Sequence, residues 1–245
     1  LGERVVAQAR RVLEESVKLE EIAKEGRDPL AGPLRLGVIY TIAPYLLPPL
    51  IPALHRCAPA MPLFLKEDFT GNLIPALKSG ELDVIVIALP IDEPGLVAQP
   101  VYDEPFRVVV PAGHPWSRRP EVEAAELDGQ DLLLLGQGNC FRDQVLESCP
   151  HLNGPDALEH SLEGSSLETI RHMVASGAGV AVMPSTAADP LDGKESLVKV
   201  LPFVGPSPSR RVGLVWRVTF PRPQAIDAVR AAVLGCKLPG ATAVR

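Results

Sequence analysis

The chain has 245 residues, 46% of them apolar and 22% charged, enough to bury a substantial core and to exclude wholesale disorder. A net charge of −6 argues against these residues forming a nucleic-acid surface, which requires a basic patch. With aromatic residues at 4%, stacking platforms for bases or sugars are not expected either.

Residues 36–55 are the longest stretch without Asp, Glu, Lys or Arg, but Pro44, Pro48, Pro49 and Pro52 interrupt it, so it does not read as a membrane-spanning helix. No basic-then-apolar leader stands at the start, and the first residue is Leu1. The chain therefore reads as a fragment or processed product of a cytoplasmic protein. Cys57, Cys140, Cys149 and Cys236 are too few for a disulfide scaffold and include no Cys-x-x-Cys pair.

Residues 1–28 differ from the rest: 13 of the 28 are charged, against 41 of the other 217. Val5, Ala9, Val12, Ser16, Leu19 and Ala23 recur in steps of four and three, the spacing of a coiled-coil seam, and Gly26 and Pro29 close the pattern. The segment is expected to be an exposed amphipathic helix in need of a partner, or else a helix lying on its own domain.

Beyond it, strands are expected at 34–39, 63–67, 83–88, 107–111, 131–135, 180–183, 198–202 and 212–216. Helices are expected at 45–57, 71–79, 141–148, 166–176 and 223–234. This alternation predicts an α/β fold with a mostly parallel sheet, better divided into two small lobes than built as one. A ligand would then sit in the cleft at the carboxyl ends of strands. Thr41 and Thr70 fall at two such ends, where each would serve either the cleft or a helix cap.

In Leu132–Pro150 (LLLLGQGNCFRDQVLESCP), a buried strand leads through a Gly-rich loop to Cys140 at the start of a helix, with Arg142 within one turn. Helix dipole and guanidinium would both favour the thiolate, the form that attacks peroxide. Cys149 lies nine residues on, about 13.5 Å along an intact helix, beyond the roughly 7 Å that a disulfide spans between Cα atoms. The pair would bond only if the helix unwinds, as in a redox switch. Packing roles for both thiols stay open, as does a zinc set of Cys140, Cys149, His151 and His160, whose spacing matches no common pattern.

Several stretches together resemble the regulatory domains of LysR-type transcriptional regulators, and among them the peroxide-sensing members. They are Gly138–Gln144 with Cys149, Pro44–Pro48, Leu77–Asp83, Asp103–Pro105, Gly113–Trp116, Ser166–Thr169 and Val174–Pro184. The resemblance implies two periplasmic-binding-protein-like (type 2) lobes joined by crossover strands and preceded by a linker helix. The helix would be 1–28, lobe I 34–104 with 218–245, and lobe II 105–217.

It also implies that Cys140 reacts with hydrogen peroxide and then pairs with Cys149. Thr41, Thr70, Asn139 and Arg142 would bind peroxide, with lesser roles for Asp143, Gln144 and Arg210. It implies a homodimer or homotetramer that meets DNA through a winged helix-turn-helix domain outside this chain and works with RNA polymerase. Neither cofactor, metal nor enzymatic turnover is implied. Members often carry His before the reactive cysteine; here Asn139 stands there and cannot carry a proton or charge near neutral pH. The competing readings are a regulator of the same family responding to a small organic effector, a periplasmic solute-binding protein and a thiol peroxidase.

Overall fold

The computed structural model describes residues 28–148, 162–193 and 197–244, together with nine scattered residues between Gly2 and Ser16, all of them helical. Of those nine, Val5, Val6, Val12 and Leu13 are exposed. The seam positions Leu19 and Ala23, as well as Cys149, His151 and His160, lie outside the described residues.

Among the described residues, ten strands and six α-helices follow in chain order. The first lobe opens with β1 (Leu34–Ile39), α1 (Ala43–Cys57), β2 (Leu63–Asp68), α2 (Thr70–Lys78) and β3 (Val84–Leu89). β4 (Leu96–Pro111) leads out of it to β5 (Leu132–Leu135), α3 (Cys140–Ser148), β6 (Leu162–Gly164), α4 (Leu167–Ala175), β7 (Val180–Pro184), α5 (Ser185–Ala188) and β8 (Val198–Leu201). β9 (Ser209–Arg217) returns, and α6 (Pro223–Gly235) and β10 (Thr242–Ala243) close the chain. Strand order is β2-β1-β3-β9-β4-β7-β5-β6, with β8 and β10 also paired to β4.

Two separate apolar cores make this two lobes. One gathers β1, α1, α2, β3, β9 and α6 around residues such as Leu36, Leu50, Ile85 and Val229; the other gathers Phe106, Leu133, Phe141, Ile170 and Val182. β4 is long enough, at 16 residues, to serve both: its first half pairs with β9 and its second half with β7 and β8.

Two expectations need correction. β9 pairs with β3 from Val84–Trp216 to Leu89–Arg211, so residues 209–217 belong to the first sheet rather than to the second lobe. The sheet is also mixed. The β1–β2, β1–β3, β5–β6 and β5–β7 pairs are parallel, but every pair made by the crossing strands β4 and β9 is antiparallel, because each enters a lobe from the other. No signal of alternation marked the first half of β4, since it is half-buried on both faces.

α1 shows tertiary burial overriding local propensity. It contains Pro48, Pro49 and Pro52, each of which removes an intrahelical donor at about 3 kcal/mol in an ordinary helix. Pro48 and Pro52 face solvent, while Ala43, Leu46, Leu47, Leu50 and Leu54 form a stripe buried in the first core. At roughly 1.5–3 kcal/mol per large buried side chain, the four leucines contribute about as much as the prolines cost, so burial offsets the lost bonds.

Candidate functional site

β1 and β2 are parallel neighbours with Ile39 opposite Asp68. Residues two past each strand end therefore emerge side by side, and these are Thr41 and Thr70. Neither is a helix cap: the N-cap positions of α1 and α2 are Ile42 and Phe69, and no side-chain bond caps either helix. The residues just before the threonines, Tyr40 and Phe69, meet edge to face at 5.2 Å and stand at the rim.

From the second lobe, the buried run Leu132–Leu135 ends β5, and Gly138 (φ +89°) turns the chain in a conformation that side chains with a Cβ rarely adopt. This brings Asn139 and Cys140 over the threonines. The Thr70 hydroxyl donates to Cys140 Sγ at 3.8 Å. Cys140, a free thiol that opens α3, packs against the core of the first lobe although its helix belongs to the second. Between the lobes lies a cavity of about 10 Å³ for the centre of a water-sized sphere, lined by Thr41, Thr70, Asn139, Cys140 and the Tyr40–Phe69 pair. That is the room of about one water molecule.

Asn139 is buried, and its Nδ2 donates to the Gly136 carbonyl at 3.0 Å, which fixes the amide at the cavity wall. Arg142 is placed differently from expectation. Its Nη1 donates to the Leu135 carbonyl (2.9 Å) and to Glu163 (2.7 Å), so its charge is committed to the β5–β6 edge. It is not among the residues around the cavity.

The guanidinium joined to the cavity wall is that of Arg210, from β9. It lies 5.2 Å above the Phe141 ring and donates to both the Thr41 hydroxyl (2.8 Å) and the Thr41 carbonyl (3.0 Å). Asp143 is exposed, while Gln144 has a buried Oε1 with no hydrogen-bond partner among the described residues. Gln144 instead lines a larger groove of about 650 Å³ between α3 and the crossing strands, together with Leu89, Pro100, Asp103 and Arg211.

Glu104 and Thr186 were missed by the sequence reading. Glu104 is fully buried and forms an ion pair with Arg210 (Nε–Oε2 2.7 Å) in which neither side chain is exposed. Its other oxygen accepts from the Thr186 backbone N–H (3.1 Å) and, very closely, from the Thr186 hydroxyl. The available signal was slight: Glu104 is one of three charged residues in VYDEPFRVVV, at the crossing between lobes, and lies within the stretch Asp103–Pro105 that carries the family resemblance. A second contact between lobes joins Tyr45 on α1 to Glu168 on α4, with the phenol donating at 3.2 Å. Burial, then the Glu168 charge, push that phenol well above the usual tyrosine range, so it remains a donor.

Among the described residues no cluster of His, Cys, Asp and Glu suits a metal ion. Three of the four residues of the zinc alternative fall outside the described residues. No helix among the described residues is long and apolar enough to cross a membrane.

Two lobes with a small polar cleft between them define the class. The chain belongs to the LysR substrate binding domain family, which matches residues 27–235, and its two-lobed α/β architecture is the expected one. Within that family it is similar to the OxyR proteins. It is 39% identical over 238 residues to the "DNA-binding transcriptional dual regulator OxyR" of Escherichia coli, covering 96% of this chain and 77% of that one.

Among solved structures, a full-length OxyR variant from Pseudomonas aeruginosa matches with a TM-score of 0.86 at 48% identity, over 97% of this chain and 79% of that chain. A reduced form of OxyR from N. meningitidis matches with a TM-score of 0.82 at 46% identity, over 87% of this chain and 99% of that one.

Proposed function

We propose that this chain is the hydrogen-peroxide-sensing part of a LysR-family transcription regulator, with Cys140 as the reacting thiol. The observation that carries the reading is the Thr70 hydroxyl donating to Cys140 Sγ at the edge of a cavity large enough for about one small molecule. Peroxide, one oxygen larger than water, would need the cavity to widen slightly, and the Thr41, Thr70 and Asn139 side chains supply polar groups to meet it. A thiolate lone pair attacks one peroxide oxygen, the S–O bond forms as the O–O bond breaks, and the departing hydroxide takes a proton to leave as water. Hydroxyl donors at Thr41 and Thr70 stabilise the charge that moves from sulfur to the departing oxygen.

The second step is capture of the sulfenic acid by the Cys149 thiol, releasing water and forming a disulfide. α3 is helical from Cys140 to Ser148, about 12 Å of rise, so that step requires α3 to unwind. Unwinding takes Phe141 and Val145 out of the second core, at roughly 3–6 kcal/mol for two large buried side chains. A bond made against that resistance is readily reduced, as suits a reversible signal.

Because Cys140 packs on one lobe and is carried by the other, the rearrangement alters how the lobes meet, and through them a homodimer or homotetramer. We assign DNA contact to a separate winged helix-turn-helix domain, in keeping with the acidic balance of this chain, and the setting to the cytoplasm with RNA polymerase as partner. The regulator consumes peroxide stoichiometrically rather than turning it over as a peroxidase. The 650 Å³ groove favours one second reading, a small organic effector.

Free-thiol counting and peptide mapping before and after one equivalent of peroxide test the proposal. Loss of the Cys140 and Cys149 thiols together supports it. Unchanged thiols, with a melting temperature that responds only to organic acids, would favour the effector reading.

A further inference from the structure

The buried Glu104–Arg210 pair lies beside the cavity without lining it, and the peroxide step as written above uses neither side chain. Glu104 and Arg210 stand directly opposite each other in the β4–β9 ladder, where the chain crosses from one lobe to the other. From that point the bonds run both ways: Thr186, in the second lobe, donates twice to Glu104, and Arg210 donates twice to Thr41, in the first.

Two bonds from one guanidinium to one residue fix the position of Thr41 as well as its direction. Since Thr41 Oγ1 already accepts a proton from Arg210, its own O–H proton is left to donate into the cavity. The orientation of Arg210 depends in turn on Glu104, which holds Nε and leaves the two terminal nitrogens aimed at Thr41.

We infer that Glu104 is a positioning residue for the reaction of Cys140 with peroxide: through Arg210 it sets the Thr41 hydroxyl as a donor to the oxygen that departs. The inference rests on the peroxide reading proposed above. Glu104 touches neither the sulfur nor the cavity, so its effect is confined to reactions in which a departing oxygen needs that donor. Alkylation of the same thiol by iodoacetamide expels iodide and has no such need.

The test compares second-order rates of the Cys140 thiol with hydrogen peroxide and with iodoacetamide, in the wild-type chain and in Glu104→Gln, which keeps the shape and removes the charge. Peroxide reaction is expected to slow by about fivefold to tenfold in Glu104→Gln, no more than loss of the Thr41 hydroxyl itself would cause, with alkylation within about twofold of wild type. Thr186→Val, which removes one of the bonds to the carboxylate and leaves both charges, is expected to show the same selectivity with a smaller drop. It carries the test should Glu104→Gln fail to fold.

Equal slowing of both reactions in the folded variants would make Glu104 a merely structural residue and overturn the inference, as would a peroxide rate within twofold of wild type. A wild-type Cys140 no faster with peroxide than free cysteine would overturn the peroxide reading itself, and this inference with it.

Discussion

The Thr70 hydroxyl approaches the Cys140 sulfur to 3.8 Å across the boundary between two lobes that have separate cores. The two threonines differ in what else they hold. Thr70 bonds the thiol, whereas Thr41 also accepts from Arg210. Thr70→Val should therefore slow oxidation of Cys140 by roughly tenfold, the effect of about 1.4 kcal/mol, with an unchanged melting temperature. Thr41→Val should slow it similarly but also lower stability by about 1–3 kcal/mol, because a buried guanidinium N–H loses its acceptor. Stopped-flow oxidation and urea melts on both variants give the comparison, and wild-type rates in both would show that the hydroxyls take no part.

The cysteines are not equivalent. Cys140→Ser should abolish the fast reaction with peroxide. Cys149→Ser should leave the first step almost intact and strand Cys140 as sulfenic or over-oxidised sulfur. Cys57→Ser and Cys236→Ser should change neither step. The Cys236 thiol bonds the Ala232 carbonyl, and burial pushes its pKa up, away from the reactive thiolate. Mass spectrometry after one equivalent of peroxide reads all four variants, and a disulfide mapped through Cys57 or Cys236 would refute the assignment.

Arg210→Met should lower stability by about 3–5 kcal/mol, because it leaves the Glu104 carboxylate buried without its charge partner. Replacing both, as Glu104→Leu with Arg210→Met, should recover most of that loss, since packed apolar side chains substitute well for a buried pair. Denaturant midpoints measure the difference; a double variant as unstable as the single one would mean that the hydrogen bonds to Thr41 and Thr186, rather than charge, dominate.

Gly179→Ala should lower stability by at least about 1–3 kcal/mol, the range for overpacking. A Cβ there would lie 2.1 Å from the Asp131 carbonyl oxygen, the same oxygen that accepts from the Val180 N–H at 2.9 Å and so joins β5 to β7. Gly71→Ala, in α2 with nothing within 4 Å, should be neutral or stabilising. Thermal melts of the pair decide it.

Deleting residues 1–25 should weaken self-association. Val5, Val6, Val12 and Leu13 expose 50–66% of their surface on a helical segment, an apolar load suited to a second copy. Sedimentation of the full and shortened chains tests this, and an unchanged oligomer would place the contact in the lobes alone.

Much of this protein is written locally. The runs LRLGVI, VIVIAL and LLLL are continuously apolar or nearly so because β1, β3 and β5 are covered on both faces, and they can be read as strands without knowing their neighbours. Cys140 at the head of α3, the turn at Gly138 and the threonines past β1 and β2 follow from the order of residues alone.

Partners far apart in the chain are another matter. Arg142, two residues from Cys140, looked like its charge partner, but a helix start fixes only the backbone. The long side chain went to Leu135 and Glu163, where a carbonyl and a carboxylate satisfy it together. The guanidinium that reaches the cavity wall comes 169 residues after Thr41, delivered by an antiparallel return strand whose pairing no local pattern encodes.

The sequence thus marked most of the elements, the candidate thiol and the family, but not the lobe-crossing half of β4. Only the tertiary structure decided which charge serves the site, because a buried ion pair such as Glu104–Arg210 exists only once two crossing strands exclude water from both partners.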